Sequence, residues 1–199
     1  MNYIAHIHLA DYTATSLVGN FLGDFVRGTQ LDHLPAEIEK GIRLHRSVDS
    51  FTDAHPVVIH LKQQFNGKLR RMSGVIIDIY FDYLLMTKWN DFSTTSNEQL
   101  FTQFYKELEH FSVPISPAFH RQAQRLVEYR WLNQYSNPEA CFQAFSSIES
   151  RLNNKIQFAE QAWCFLQQHH NLFARKFAEF YPSLIEHGVN FVKSYQDSN

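Results

Sequence analysis

Apolar residues recur at three- and four-residue steps along most of the chain, which is the spacing of one face of an α-helix. Prolines stand where several of these stretches begin or end, as is typical of helix boundaries. Two short apolar runs, 57–59 and 75–77, could each form a buried strand, but both continue into helical spacing and are predicted as helix. The predicted helices run from Pro35 to about Phe51, from Pro56 to about Asn66, from Val75 to about Trp89 with Ser73 as N-cap, from Glu98 to about Phe111, from Pro117 to about Tyr135, from Pro138 to about Leu152, and from about Ile156 to Tyr195 with a break near 169–171 or at 181–182.

Composition supports one helical domain. The chain has 199 residues, of which 44% are hydrophobic, so it can bury a sizeable core. Seven glycines and six prolines are few for a β-protein with many turns. We therefore predict an all-α fold, a single-domain helical bundle over residues 1–199. Its candidate metal-site helices span about 1–90, and an aromatic-rich helical remainder spans about 96–196.

Charge and hydropathy exclude several classes of protein. The net charge of −2 and the pI near 6.6 argue against a nucleic-acid binder, which would carry a basic bias. No apolar run approaches the roughly 20 residues that a membrane span needs. The first residues lack the basic and apolar regions of a signal peptide. We expect a cytoplasmic protein with no nucleic-acid partner and no membrane span.

Two carboxylates stand inside the most apolar of the predicted helices. Asp78 and Asp82 are four residues apart, so they share a helix face among Ile, Tyr, Phe and Leu. A buried ionised carboxylate is costly, and two on one face also repel each other. Because a divalent cation would remove both penalties, the pair predicts a metal site.

Further polar residues in the first half strengthen this prediction. A His/Asp pair repeats the four-residue spacing on the helix after Pro35, and three polar residues would share one face of an earlier helix. Each feature alone is commonly a solvated helix face or a hydrogen-bonded pair, but several within about eighty residues predict one pocket. Mixed imidazole and carboxylate ligands suit Mn, Fe, Co, Ni or Zn better than calcium. These residues are the pair His45 and Asp49, the trio Asn20, Asp24 and Arg27, and His6 in the apolar N-terminal segment.

Basic residues are in excess between positions 27 and 71. The span holds eight Lys and Arg and five Asp and Glu, in a chain whose net charge is negative. The excess has two interpretations: ordinary solvated helix faces, or a docking rim for an acidic partner or a phosphate.

Four ordered motifs resemble the acyl carrier protein phosphodiesterase family. The opening segment 1–10 (MNYIAHIHLA) is similar to the family's first residues, and 19–28 (GNFLGDFVRG) matches a Gly-Asn…Asp-Phe-Val-Arg-Gly element. The segment 41–53 (GIRLHRSVDSFTD) matches a third element, and 77–85 (IDIYFDYLL) followed by Trp89 matches a fourth. The motifs cover about the first ninety residues, and the chain length fits the whole family.

The resemblance implies an α-helical, atypical member of the HD-type metal phosphohydrolases that requires manganese, with Mg²⁺, Fe²⁺ or Co²⁺ as alternatives. Its implied substrate is holo acyl carrier protein, from whose serine it removes 4′-phosphopantetheine. One departure matters, because His45 is followed by Arg46 here instead of by the aspartate of an adjacent His-Asp pair. The ligand set of ordinary HD enzymes therefore cannot be copied onto this chain.

Combining the resemblance with the residues gives a definite set of candidates. The implied chemistry is attack of a metal-activated water on phosphorus, with an arginine clamping the phosphoryl oxygens. The predicted metal ligands are Asp24, His45, Asp49, Asp78, Asp82 and His6, and the predicted catalytic residues are Asp24, Arg27, Arg46 and Asn20. Two alternatives stay open: a related hydrolase of a nucleotide or other small phosphoester, and a non-catalytic helical module that binds haem or a partner.

Overall fold

The chain is helical throughout the part that the structure, a computed structural model, describes, which is residues 2–197. No strand occurs in this range, so the all-α prediction is confirmed. The helices are α1 (Tyr3–Tyr12), α2 (Leu17–Leu22), α3 (Ala36–Ala54), α4 (Pro56–Gln64), α5 (Gly67–Thr87), α6 (Trp89–Phe92), α7 (Asn97–His110), α8 (Pro117–Tyr129), α9 (Pro138–Arg151), α10 (Ala159–Gln168) and α11 (His170–Asp197), with a 3-10 turn at Trp131–Gln134.

Helix boundaries follow the capping residues in the sequence. Pro56, Pro117 and Pro138 each occupy the first turn of a helix, where a missing N–H costs nothing. The helix predicted over 117–135 stops at Tyr129, because Arg130 takes the left-handed conformation (φ 47°) that ends a helix. The last predicted helix breaks at His169, between α10 and α11, while Pro182 lies inside α11.

Two sequence-based boundaries are wrong. Helix α5 begins at Gly67, two turns before the predicted N-cap, and the Ser73 hydroxyl donates to the Arg70 carbonyl oxygen inside the helix. Helix α2 ends at Leu22, so the residues from Asp24 onward do not continue the helical face of Asn20. They lie in the connection that leads to α3.

Glycines let α2 and α3 approach each other closely. A Cβ atom at Gly41 would lie 2.7 Å from the carbonyl carbon of Gly19, and one at Gly19 would lie 2.9 Å from the Ile38 oxygen. Both distances are shorter than any ordinary contact, and the neighbouring atoms belong to backbone that cannot move aside. The crossing therefore requires glycine, and it brings the end of α2 against the middle of α3.

Helix α1 is the central element of the bundle. All seven residues from Ile4 to Ala10 are buried, and α1 packs against α2, α3, α5, α7 and α11. Its His8 is held by the Tyr181 hydroxyl at 2.8 Å and by the Phe92 carbonyl oxygen at 3.2 Å. Aromatic rings of α5 and α11 form much of the surrounding core. None of the helices in the described residues is long and apolar enough to cross a membrane.

Candidate metal centre

Three predicted ligands, from two helices, meet at one point. His6 of α1 and His45 of α3 direct their Nε2 atoms at the carboxylate of Asp49, which lies one turn after His45 on α3. The distance is 3.2 Å from His6 Nε2 to Oδ1 and 3.2 Å from His45 Nε2 to Oδ2. Among the described residues, these three form the group whose possible ligand atoms all lie within 4.8 Å of one another.

The spacing of these donors fits a divalent cation. Ligand atoms that each sit about 2.1 Å from one ion lie roughly 3.0–3.4 Å apart in octahedral or tetrahedral geometry. The two imidazoles stack with centroids 3.8 Å apart. Their Nδ1 atoms are buried with no hydrogen-bond partner in the described residues, so each ring makes its polar contacts through Nε2. Both rings therefore direct the same nitrogen at the Asp49 carboxylate, one towards each oxygen.

Electrostatics divide the protons unequally between the two histidines. Burial, together with repulsion from His45, lowers the pKa of His6 to about 4. Burial also opposes the charge on His45, but the carboxylates of Asp24 and Asp49 outweigh it and raise the pKa of His45 to about 9. Burial would raise the pKa of Asp49, yet its contacts with His45 and His6 hold that pKa well below its usual range. At neutral pH a single imidazolium thus lies between two carboxylates.

Asp24 lies at the edge of this group. Its Oδ1 is 3.6 Å from His45 Nε2, and its side chain is 48% exposed, against 3% for His45. Burial alone would raise the pKa of Asp24, but the neighbouring His45 lowers it, so the carboxylate is ionised at neutral pH. The imidazoles thus form the buried wall of the site and the carboxylates face solvent, which leaves the site open to a substrate.

Gly23 is a functional position that the sequence analysis missed. A Cβ atom here would overlap the ring of His45 and lie 2.7 Å from the Cβ of that histidine. Only glycine lets the imidazole stand against the end of α2 beside Asp24. The available signal was glycine itself, which is common where the backbone and a neighbouring group approach closely.

The structure gives Asp82 a different role from the predicted one. Its carboxylate is completely buried and accepts from the backbone N–H of Ile4 at 2.9 Å and of Ala5 at 3.1 Å. These are orphan donors of the first turn of α1, so Asp82 caps that helix from α5. Burial raises the pKa of Asp82 to about 7, although the two N–H groups oppose the rise. We correct its assignment from metal binding to helix capping.

Asp78, the other carboxylate of the predicted pair, is not one of the three clustered residues His6, His45 and Asp49. Burial raises the pKa of this half-buried carboxyl, and the charges of Asp49 and Asp53 raise it further. Asp82, one turn further along α5, accepts from the backbone N–H of Ala5 directly before His6, so this part of α5 lies beside the cluster. Its role as a ligand stays a prediction.

The three remaining candidates fall into different environments. The Arg46 guanidinium donates to the carbonyl oxygens of Val26 and Gly28, at 2.7 Å each, so the structure uses it to hold the connection after α2. Arg27 is exposed within that connection. Asn20 is buried, and its amide donates to the Thr15 hydroxyl and the Ser16 carbonyl oxygen. Arg46 therefore positions the loop after α2, and its role as a phosphate clamp stays a prediction.

Comparison with known proteins gives one consistent result. The family model described as acyl carrier protein phosphodiesterase matches residues 1–184. A protein named acyl carrier protein phosphodiesterase from Escherichia coli (strain 536) is 31% identical over 187 residues, which cover 94% of this chain and 96% of the relative. The protein of that name from Escherichia coli (strain HS) is 30% identical over 186 residues, covering 93% and 96%. No solved structure matches, so the HD-like fold stays a prediction. The chain belongs to the acyl carrier protein phosphodiesterase family.

Proposed function

We propose that this chain is a metal-dependent phosphodiesterase that hydrolyses 4′-phosphopantetheine from holo acyl carrier protein and leaves apo acyl carrier protein. Membership of the family over nearly the whole chain supports the reaction and the substrate. The convergence of His6, His45 and Asp49 supports the metal, and it is the observation that carries the proposal. We place the reaction in the cytoplasm. Family membership favours this enzyme over a haem- or partner-binding module.

The three clustered residues would hold the cation, with Mn²⁺ proposed first and Mg²⁺, Fe²⁺ or Co²⁺ as alternatives. When bound, a divalent ion supplies Lewis-acid activation of water and neutralises charge on the phosphoryl oxygens. In the overall reaction a water oxygen forms a bond to phosphorus, and the bond from phosphorus to the serine oxygen of the carrier protein breaks. The serine oxygen leaves with a proton.

The chain's own residues would orient the reactants. Asp24 is ionised and exposed beside His45, so it can accept a hydrogen bond from the attacking water and fix its direction. Arg27 is exposed in the connection that Arg46 holds, so its guanidinium is available for the oxygens of the phosphodiester. Arg46 would act indirectly, because it holds the backbone on both sides of Arg27.

Intact-mass spectrometry of holo acyl carrier protein tests the proposal. The substrate is incubated with the protein in Mn²⁺, Mg²⁺, Fe²⁺ or Co²⁺ and, separately, in EDTA, and loss of the phosphopantetheine mass is followed. Asp49→Asn should abolish turnover, because it removes the carboxylate that both imidazoles face. Asp53→Asn is the matched control, since Asp53 lies one turn further along α3 and pairs with Lys62 at 2.8 Å.

The outcomes separate the parts of the proposal. Release of phosphopantetheine only with metal, and only by the wild type and Asp53→Asn, is the expected result. No release with any of the four metals would remove carrier protein as the substrate and favour a small phosphoester, which hydrolysis of a nucleotide diester would reveal. Full activity of Asp49→Asn, or in EDTA, would remove the metal centre.

A further inference from the structure

A cleft lined by basic side chains lies between the start of α5 and the loop that joins α9 to α10. We name it the cationic cleft, and its charged residues are Lys68 and Arg71 of α5 and Lys155 of the loop. Asn154, Ile156 and Gln157 complete its lining, so no carboxylate faces it among the lining residues. Arg71 and Lys68 belong to the basic span seen in the sequence, whereas no sequence pattern predicts that Lys155 lies beside them.

The loop of the cationic cleft is built into the fold. Asn153 and Asn154 both adopt the left-handed conformation, with φ of 52° and 55°, which asparagine tolerates better than most residues. The Asn154 N–H donates to the Glu149 carbonyl oxygen at 2.9 Å. The Glu149 carboxylate then accepts from the backbone N–H groups of Phe158 and Ala159 at the start of α10. The loop is thus tied at both ends, which fixes the lysine between them opposite α5.

The charges of the cationic cleft are uncompensated. Lys68, Arg71 and Lys155 are all exposed. None of them makes an ion pair with the side chains that the structure describes, those of residues 2–195. Lys62, in the same basic span, differs because Asp53 neutralises it. In a chain of net charge −2, three adjacent free cations form a local positive surface.

Helix α5 connects this surface to the metal centre. Arg71 and Asp78 are seven residues apart, close to two full turns, so they lie on nearly the same face about 10.5 Å apart along the axis. Asp82, one turn beyond Asp78 on α5, accepts from the backbone N–H of Ala5 at 3.1 Å, and Ala5 directly precedes His6 of the metal centre. A phosphodiester at the cluster is too small to reach the cationic cleft as well. Whatever fills the cleft belongs to a more distant part of the substrate.

We propose that the cationic cleft docks an acidic surface segment of the carrier protein while its phosphodiester lies at the metal centre; this rests on the function proposed above. The pantetheine arm consists of neutral amides, a hydroxyl and a thiol, so beyond the diester the anionic partner has to be the protein. Exposed ion pairs of long side chains contribute at most about 1 kcal/mol each, which is too little to hold a small anion. Several acting together steer a charged protein and accelerate its association.

Charge reversal with a charge-matched control tests the docking. The triple variant Lys68→Glu, Arg71→Glu, Lys155→Glu is compared with Lys106→Glu, Arg175→Glu, Lys193→Glu, which changes the net charge equally at exposed cations of α7 and α11. Steady-state kinetics use holo acyl carrier protein at low and high ionic strength, and a small chromogenic phosphodiester as second substrate. Thermal unfolding and Mn²⁺ titration establish that both triple variants keep the fold and the metal centre.

We expect KM for the carrier protein to rise about tenfold or more in the cleft variant at low salt, with kcat unchanged. The difference should shrink at high salt, where screening removes the attraction in the wild type. Hydrolysis of the small diester should be the same in all three proteins. A KM equal to that of the wild type, or an equal rise in the control, would overturn the docking site alone. A wild type that releases no phosphopantetheine from carrier protein would overturn the proposed function first.

Discussion

Replacing Gly23 with alanine should disrupt the metal centre without changing any charge. The backbone at Gly23 is α-helical (φ −52°, ψ −34°), so alanine meets no backbone strain there. The new Cβ would overlap the imidazole of His45 and lie 2.7 Å from its Cβ. Rotating the ring cannot relieve the second contact, because the α3 backbone fixes that atom. Overpacking of this kind costs about 1–3 kcal/mol.

The matched control is Gly74→Ala on α5. Its Cβ would find only a Lys62 methylene at 3.9 Å, so alanine should stabilise the helix by up to about 1 kcal/mol. For a domain of this size 1 kcal/mol corresponds to about 2–4 °C in Tm, so the two variants should differ by roughly 2–16 °C. Calorimetric titration should show about tenfold or weaker Mn²⁺ binding by Gly23→Ala and unchanged binding by Gly74→Ala. Wild-type Tm and Mn²⁺ affinity in Gly23→Ala would refute the packing of His45 against α2.

Three further predictions concern the clustered histidines, the cap of α1 and the loop that Arg46 holds. Removing a proposed ligand with His6→Ala should weaken Mn²⁺ binding at least about tenfold. The Mn²⁺ affinity of the wild type should rise as the pH increases towards about 9, because the ion competes with the proton of His45. Calorimetric titrations at several pH values check both expectations, and a pH-independent affinity of the wild type would contradict the competition with His45. Burial raises the pKa of Asp82 from an unfolded value near 4 to about 7, so the folded state binds a proton between these values and the free energy of unfolding should fall as the pH rises from about 4 to about 7. Urea unfolding at several pH values should show this fall for the wild type and not for Asp82→Asn. Stability profiles that run parallel for the two proteins would be the contrary result. Arg46→Lys should lower kcat and leave the Mn²⁺ affinity unchanged, because one ammonium cannot reproduce a guanidinium that spans two carbonyl groups. The control is Arg43→Lys, which alters a pair with Glu39 on the same helix and should keep the wild-type kcat.

The local elements could be predicted because their signals are local. Helix starts at Pro56, Pro117 and Pro138 depend on the first turn alone, and the His45–Asp49 pair needs only the helical repeat. The spacing therefore identified two of the three clustered residues as neighbours before any tertiary structure was considered. His6 carries no such spacing signal, and the sequence offered only its apolar surroundings as a reason to include it.

Asp82 shows where reasoning from the sequence reached a sound premise and an incomplete conclusion. Burial of the carboxylate was predicted correctly, and a buried carboxylate does require compensation. Metal ligation is only one form of compensation, and here two backbone N–H groups of α1 supply it from 77 and 78 residues away. Arg46 repeats the lesson, because its partners are carbonyl oxygens of a distant loop. Every residue has a backbone carbonyl and every residue except proline has a backbone N–H, so composition and spacing cannot reveal which ones a side chain will meet.

The capping of α1 by Asp82 also makes the metal centre depend on a helix that supplies none of its three clustered donors. Asn2 provides no side-chain cap, so the first turn of α1 has Asp82 of α5 as its side-chain partner. His6 follows directly after the capped residues. A fragment that ends before α5 would contain His6, His45 and Asp49 but would lack the carboxylate that stabilises the turn leading into His6. The three donors are therefore not an independent metal-binding peptide, because a helix later in the chain holds one of their imidazoles in place.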